Sequence, residues 1–110
     1  MSLNFTHIKG DTFYEVDFEI LKNQEAIDLT DAIIRMQVRQ NYGGAIVLNF
    51  TSIDEEGITI TNAVDGKFKI NQRIIDIPAF NYIYDIQFTI DGVVKTYVSG
   101  NFLVTNDVTR

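Results

Sequence analysis

From Tyr82 to Ile90 the chain alternates without a break, with Tyr82, Tyr84, Ile86, Phe88 and Ile90 on one face and Ile83, Asp85, Gln87 and Thr89 on the other. A sustained period of two describes a half-buried β-strand. Asp91 and Gly92 supply the turn signal that follows, and a second apolar run continues to Val104. Residues 81–110 therefore read as one long hairpin, and the rest of the chain must be organised around it.

Two registers compete for that hairpin. A two-residue turn over Asp91-Gly92 sets Ile90 opposite Val93 and Phe88 opposite Lys95, which puts a lysine on the apolar face. A three-residue loop of Ile90, Asp91 and Gly92, with Gly92 left-handed as a bulge, sets Phe88 opposite Val94, Ile86 opposite Thr96 and Tyr84 opposite Val98. The second is the expected register, because Lys95 then faces Gln87 and Tyr97 faces Asp85 on the wetter side. The even-numbered run goes on through Gly100 to Phe102 and Val104, so the strand is expected to kink at Gly100.

The remaining sequence supplies partners for the hairpin. Residues 3–8 read as a short strand with Leu3, Phe5 and His7 on one face, ending at the turn Lys9-Gly10-Asp11. Residues 12–20 set Tyr14, Val16, Phe18 and Ile20 inward against Glu15, Asp17 and Glu19, and residues 32–40 set Ile34, Met36 and Val38 inward against Arg35, Gln37 and Arg39. Between them, residues 21–31 form a connection in which Ile27 and Leu29 tuck into the edge of the core. Asn41-Tyr42-Gly43-Gly44 turns the chain into residues 45–51, a strand carrying Ile46, Leu48 and Phe50. Residues 58–61 and 67–71 make a smaller hairpin. Residues 72–78 are expected to form one short helical turn that Pro78 stops.

About eight strands, turn signals roughly every ten residues and no long helix predict an all-β fold. The expected architecture is an antiparallel two-sheet sandwich of immunoglobulin-like type, with a small β-barrel as the alternative. A chain of 110 residues, 45% of them hydrophobic, is sized for a single domain over residues 1–110 with a substantial core. Immunoglobulin-like sandwiches carry a tyrosine corner near the start of the penultimate strand. Tyr84, two residues before inward Ile86, is the candidate here, with Tyr82 as its alternate; an aromatic core pair is the competing reading. The cysteines and tryptophan of antibody domains are absent.

Charge and motif content narrow the functional classes. A net charge of −6, with only 9 scattered Lys and Arg residues, argues against nucleic acid as a partner. The lack of cysteine removes disulfides, thiolate metal sites and cysteine nucleophiles. No apolar run approaches the roughly 18 residues of a membrane span, and the N-terminus lacks the basic and apolar regions of a signal peptide. No membrane partner is expected. Sequence fingerprints of hydrolases, metalloproteases and nucleotide-binding loops are missing, and His7, the only histidine, has no partner at recognisable spacing. The expectation is a protein that is not an enzyme, with no catalytic residue and no cofactor. Asp54, Glu55 and Glu56 form the densest acidic cluster but lack the ligand pattern of a calcium loop, so no metal is expected either.

Several pieces together resemble small phage and prophage structural proteins. They are Lys9-Gly10-Asp11-Thr12 ahead of a strand, Leu29-Thr30-Asp31-Ala32 leading into Ile33-Ile34-Arg35-Met36-Gln37-Val38-Arg39, and Tyr84-Asp85-Ile86 with Asp91-Gly92. The most distinctive is Gly100-Asn101-Phe102-Leu103-Val104 with the terminal Asp107-Val108-Thr109-Arg110. The layout is similar to the immunoglobulin-like N-terminal domain of phage baseplate upper proteins. That resemblance implies a virion component of tail, baseplate or head, docking to other virion proteins or to copies of itself as a homo-oligomer. Its location would be the virion, or the host cytoplasm before assembly. Since the baseplate proteins continue past this domain, whereas this sequence stops at Arg110, an anchor for a receptor-binding protein is not expected. The strands over residues 3–8 and 46–50 are the expected docking edges, and Asp107, Val108, Thr109 and Arg110 the expected contact arm. The alternative function is a carbohydrate- or peptide-binding module of a surface adhesin, using Tyr42 and Tyr97.

Overall fold

The computed structural model describes residues 2–106. Its strands are β1 (Phe5–Ile8), β2 (Thr12–Phe13), β3 (Val16–Glu19), β4 (Leu21–Lys22), β5 (Glu25–Ala26), β6 (Ile33–Arg39), β7 (Ile46–Thr51), β8 (Ile58–Asn62), β9 (Lys67–Ile70), β10 (Arg73–Ile74), β11 (Phe80–Ile90) and β12 (Val93–Thr105). A single 3-10 turn over Ile53–Glu55 is the only helical piece among the described residues. The fold is all-β. Hydrogen bonding groups the strands into a five-stranded sheet, β1-β12-β11-β6-β7, and a three-stranded sheet, β3-β9-β8. Two small pairs, β2 with β10 and β4 with β5, complete the set. The sheets share no strand, so the described residues form a sandwich-like stack and not the closed cylinder of the alternative barrel.

Strand alternation creates the core. Ile34, Met36 and Val38 of β6, Leu48 and Phe50 of β7, and Tyr82, Tyr84, Ile86 and Phe88 of β11 all turn inward and are buried. From the facing sheet, Phe18 of β3 stacks on its cross-strand partner Phe68 of β9 at 4.9 Å between centroids. Phe68 in turn meets Phe88 edge-on at 5.4 Å, joining the two sheets. Each ring so buried is worth about 1.5–3 kcal/mol of transfer free energy, with a smaller directional term from the ring contact. Leu29 and Ile75, from connecting segments, are also fully buried in this core.

The hairpin register differs from the expected one. Ile90 pairs with Val93, Thr89 with Val94 and Phe88 with Lys95, so the turn is the two-residue Asp91-Gly92 form. Asp91 has φ 51° and Gly92 φ 78°. Positive φ at both central residues is the type I′ geometry, whose twist matches that of paired strands. The conflict this creates on the apolar face is resolved downstream. Gln87 pairs with Thr96 but Ile86 pairs with Val98, so Tyr97 is an extra residue in β12. That bulge shifts the phase by one, and Val98, Phe102 and Val104 all face the core. Tyr97, expected as an exposed aromatic, is half-buried with its ring edge-on to Phe88 at 5.2 Å. Lys95, opposite Phe88, remains exposed near the hairpin tip.

Other departures have similar causes. The single strand expected over residues 12–20 is two, because the chain changes partner: β2 pairs with β10 and β3 with β9. The alternation slips at the crossing, so Phe13 is buried and Tyr14, expected inward, is 73% exposed. Residues 73–74 are extended as β10 instead of making a helical turn, since pairing with β2 satisfies their backbone. The five-stranded sheet is also not wholly antiparallel. β1 runs parallel to β12, with Phe5 opposite Phe102 and His7 opposite Val104. His7 is buried, with Nε2 3.0 Å from the Asp11 carbonyl.

The approach to β1 explains Gly100. The Leu3 amide donates to the Ser99 carbonyl at 2.9 Å, and the Asn101 amide donates to Asn4 Oδ1 at 3.0 Å. Leu3 therefore lies directly over Gly100, where a Cβ would sit 2.1 Å from the Leu3 carbonyl oxygen. The strand continues through Gly100 in register, so the glycine is required for close approach of two backbones and not for the expected kink. Gly10 turns the chain after β1 with φ 83°. Replacing Gly100 with alanine should push the N-terminal segment off β12 and cost about 1–3 kcal/mol. Urea unfolding of Gly100→Ala measures this; an unchanged midpoint would mean the Leu3 segment contributes no stability.

Candidate functional site

The two candidate corner tyrosines make different bonds. Tyr82 opens the buried stretch of β11, and its hydroxyl donates to the Pro78 carbonyl four residues upstream at 2.6 Å. Tyr84 donates to the Leu3 carbonyl, tying the N-terminal segment to the centre of the sheet. Both rings are buried, and desolvation raises both hydroxyl pKa values, that of Tyr84 to about 12. These phenols act as hydrogen-bonded ends of core side chains. The bond from Tyr82 closes a local corner, whereas that from Tyr84 spans most of the chain.

The acidic residues are dispersed. Glu15, just before β3, pairs with Lys69 at 3.3 Å and Glu19 of β3 with Lys67 at 3.9 Å, so lysines of β9 meet two of the three carboxylates of residues 15–19. Asp54, Glu55 and Glu56 are exposed on the loop after β7. Among the described residues no three His, Cys, Asp or Glu side chains gather closely enough to hold a metal. Asp28 is exposed, and its carboxyl is held below the usual range by hydrogen bonds from the Thr30 hydroxyl and amide.

Both expected docking strands lie at edges of the five-stranded sheet, β1 at one side and β7 at the other. They differ in character. The outer edge of β7 is bridged at Thr51 to Gly57, and beyond that no strand pairs with it among the described residues. Residues 45–51 contain no charged side chain and no proline. Asp107, Val108, Thr109 and Arg110, the expected contact arm, lie outside the described residues.

The outward face of the same sheet carries a trough that the sequence did not announce. Register aligns Arg39, Ile83 and Asn101 in one row across β6, β11 and β12, and Gln37, Asp85 and Ser99 in the next. The N-terminal segment at Asn4 and the turn at Tyr42 border the depression, whose volume is about 610 Å³. Arg39 donates through Nη1 to the Gly44 carbonyl and through Nη2 to Gln37 Oε1 at 3.0 Å. That first bond fixes the turn, leaving Tyr42 93% exposed beside it. Asp85 is half-buried, and its carboxylate has no hydrogen-bond or ion-pair partner among the described residues. Of these residues the sequence marks only Tyr42 as a ligand contact. The signal for the others was their outward parity on three strands, which means little until register shows which strands are neighbours.

The raised Tyr84 pKa predicts an alkaline loss of stability. An ordinary tyrosine ionises near pH ~10, and Tyr84 when folded does so at about 12. Between those values the folded state holds more protons, so stability is level below pH ~10 and falls as pH rises towards ~12. Urea midpoints across this range should show the fall, and Tyr84→Phe should reduce it while costing about 1 kcal/mol at neutral pH through the lost bond to Leu3. A fall equally steep in Tyr84→Phe would assign the effect to other groups. Compared with known proteins, the chain matches no protein-family model and no curated protein.

Proposed function

We infer that this chain is a non-enzymatic, immunoglobulin-like module of a phage or prophage virion, acting by docking to other virion proteins or to copies of itself. The single observation that carries the docking mode is the open, uncharged edge of β7. An unpaired edge presents a row of free amides and carbonyls, and natural edges without lysine, proline or cover are sites of strand addition. The virion assignment rests on the sequence resemblance carried by residues 9–12, 29–39, 84–86, 91–92, 100–104 and 107–110.

The immunoglobulin-like reading draws support from strand order. The neighbours β12-β11-β6-β7 correspond to the G-F-C-C′ order of a variable-type sandwich, and β3-β9-β8 to B-E-D. In that correspondence β11 is the penultimate strand. Its first buried tyrosine, Tyr82, bonds back to Pro78 in the manner of a tyrosine corner, so the corner role is better given to Tyr82 than to Tyr84.

Light scattering over a concentration series tests the docking edge. The wild-type chain should rise from its monomer mass of 12.5 kDa to a discrete oligomer. Ile46→Lys combined with Asn49→Lys adds two charges to the β7 edge without entering the core, and should weaken that association at least about tenfold. A wild-type protein that stays monomeric throughout, or an oligomer indifferent to the lysines, would count against self-docking through β7.

A further inference from the structure

The outer trough of the five-stranded sheet has the features of a ligand site independent of the β7 edge. Adjacent strands lie about 4.8 Å apart and same-face residues about 7 Å apart along each strand, so aligned rows form a plate of side chains on a molecular scale. A volume of about 610 Å³ falls within the range of small-ligand sites.

The chemistry of the plate selects its occupant. Gln37 and Asn101 each bear an amide able to donate and to accept, Ser99 adds a hydroxyl, and Asp85 accepts only. Arg39 is held in place by the Gly44 carbonyl and Gln37, so its orientation is set before any ligand arrives. Arg39 and Asp85 give this part of the sheet one charge of each sign, in a chain whose net charge is −6. An anionic ligand would meet the unpartnered Asp85 at the centre, and an apolar one would leave these polar groups without partners. Sugar hydroxyls donate and accept at once and match a mixed, nearly neutral array. Tyr42, 93% exposed at the rim, offers an aromatic face to the C–H surface of a pyranose ring.

We propose that this trough is a binding site for an uncharged oligosaccharide, with Asp85, Gln37 and Arg39 hydrogen-bonding its hydroxyls and Tyr42 stacking on a sugar ring. The site lies on side chains of the sheet face, so it does not require the docking edge. Binding and assembly are separable by substitution.

The test is a panel of uncharged glucose, galactose, mannose and N-acetylglucosamine oligosaccharides, titrated to millimolar concentration into isotope-labelled protein, with sialylated and sulfated sugars as charged counterparts. At least one uncharged oligosaccharide should shift the amide signals of Gln37, Asp85 and Asn101. Tyr42→Ala and Asp85→Asn should each weaken that binding tenfold or more without moving the melting temperature by more than a degree or two. Asp85→Asn, on the central strand β11 and away from the β7 edge, should leave the association of the wild type unchanged. Silence from every uncharged sugar, binding of the charged ones alone, or affinity indifferent to Tyr42 and Asp85 would each overturn the proposal.

Discussion

The phase of β12 against β11 is the constraint on which most of this molecule depends. A strand alternates strictly, so the turn that starts β12 dictates which of its residues face inward unless something intervenes. The type I′ turn at Asp91-Gly92 fixes a phase that puts Lys95 opposite Phe88. Continued without a break, it would turn Val98, Phe102 and Val104 away from the core. One extra residue, Tyr97, reverses the phase, and its own ring covers Phe88. The same reversal brings Ser99 beside Asp85 and Asn101 beside Ile83, so the bulge composes the outer trough as well as the inner core. Both faces of the sheet follow from one irregularity.

The edges of that sheet are managed unequally. Along β12, the N-terminal segment is tied by Leu3 and Asn4, and by Tyr84 reaching its carbonyl across Gly100. β1 then pairs with β12 from Phe102 to Thr105, leaving its hairpin end unpaired by β1. That end carries Lys95 and the bulge, two devices that discourage a foreign strand. β7 has neither a lysine nor a proline within residues 45–51. An irregularity does occur where β7 meets β6, between Val38 and Arg39, but it lies near the start of the strand at Ile46 and Leu48. The contrast between a guarded edge and an unguarded one directs the docking argument to β7.

What the sequence made legible was whatever depends on parity within one strand. The alternate residues from Tyr82 to Phe88 and from Ile34 to Val38 read as inward and are buried, and the hairpin of β8 with β9 reads as such. Of the set Ile46, Leu48 and Phe50, Leu48 and Phe50 are buried, whereas the irregularity between Val38 and Arg39 sets Ile46 opposite Arg39 and leaves it exposed. What escaped was set by partners far away in sequence. Tyr14 faces outward because β2 and β3 join different sheets, a choice made by residues 67–74. Ile74 lies in an extended segment because Thr12 is there to pair with it. The hairpin register is not legible because the lysine that the two-residue turn sets opposite Phe88 is tolerated only through the extra residue Tyr97, which restores the inward phase from Val98 onward, and nothing local in the sequence marks that residue as a bulge. The trough was invisible for the same reason. Its residues belong to β6, β11 and β12, and only register makes Gln37, Asp85 and Ser99 neighbours.

Edge and face are physically compatible uses of one sheet. Strand addition consumes backbone groups in the plane of the sheet, whereas the trough is built from side chains standing perpendicular to it. Two copies joined antiparallel through β7 about a two-fold axis normal to the sheet would form a continuous ten-stranded sheet, twice the five strands of one copy. That axis keeps inner faces together, so both troughs would open on the same side. A site of weak intrinsic affinity then gains by effective concentration when its ligand is a polymer or a dense surface, since the second contact becomes intramolecular. Assembly would therefore set the strength of sugar binding without altering any residue that touches the sugar.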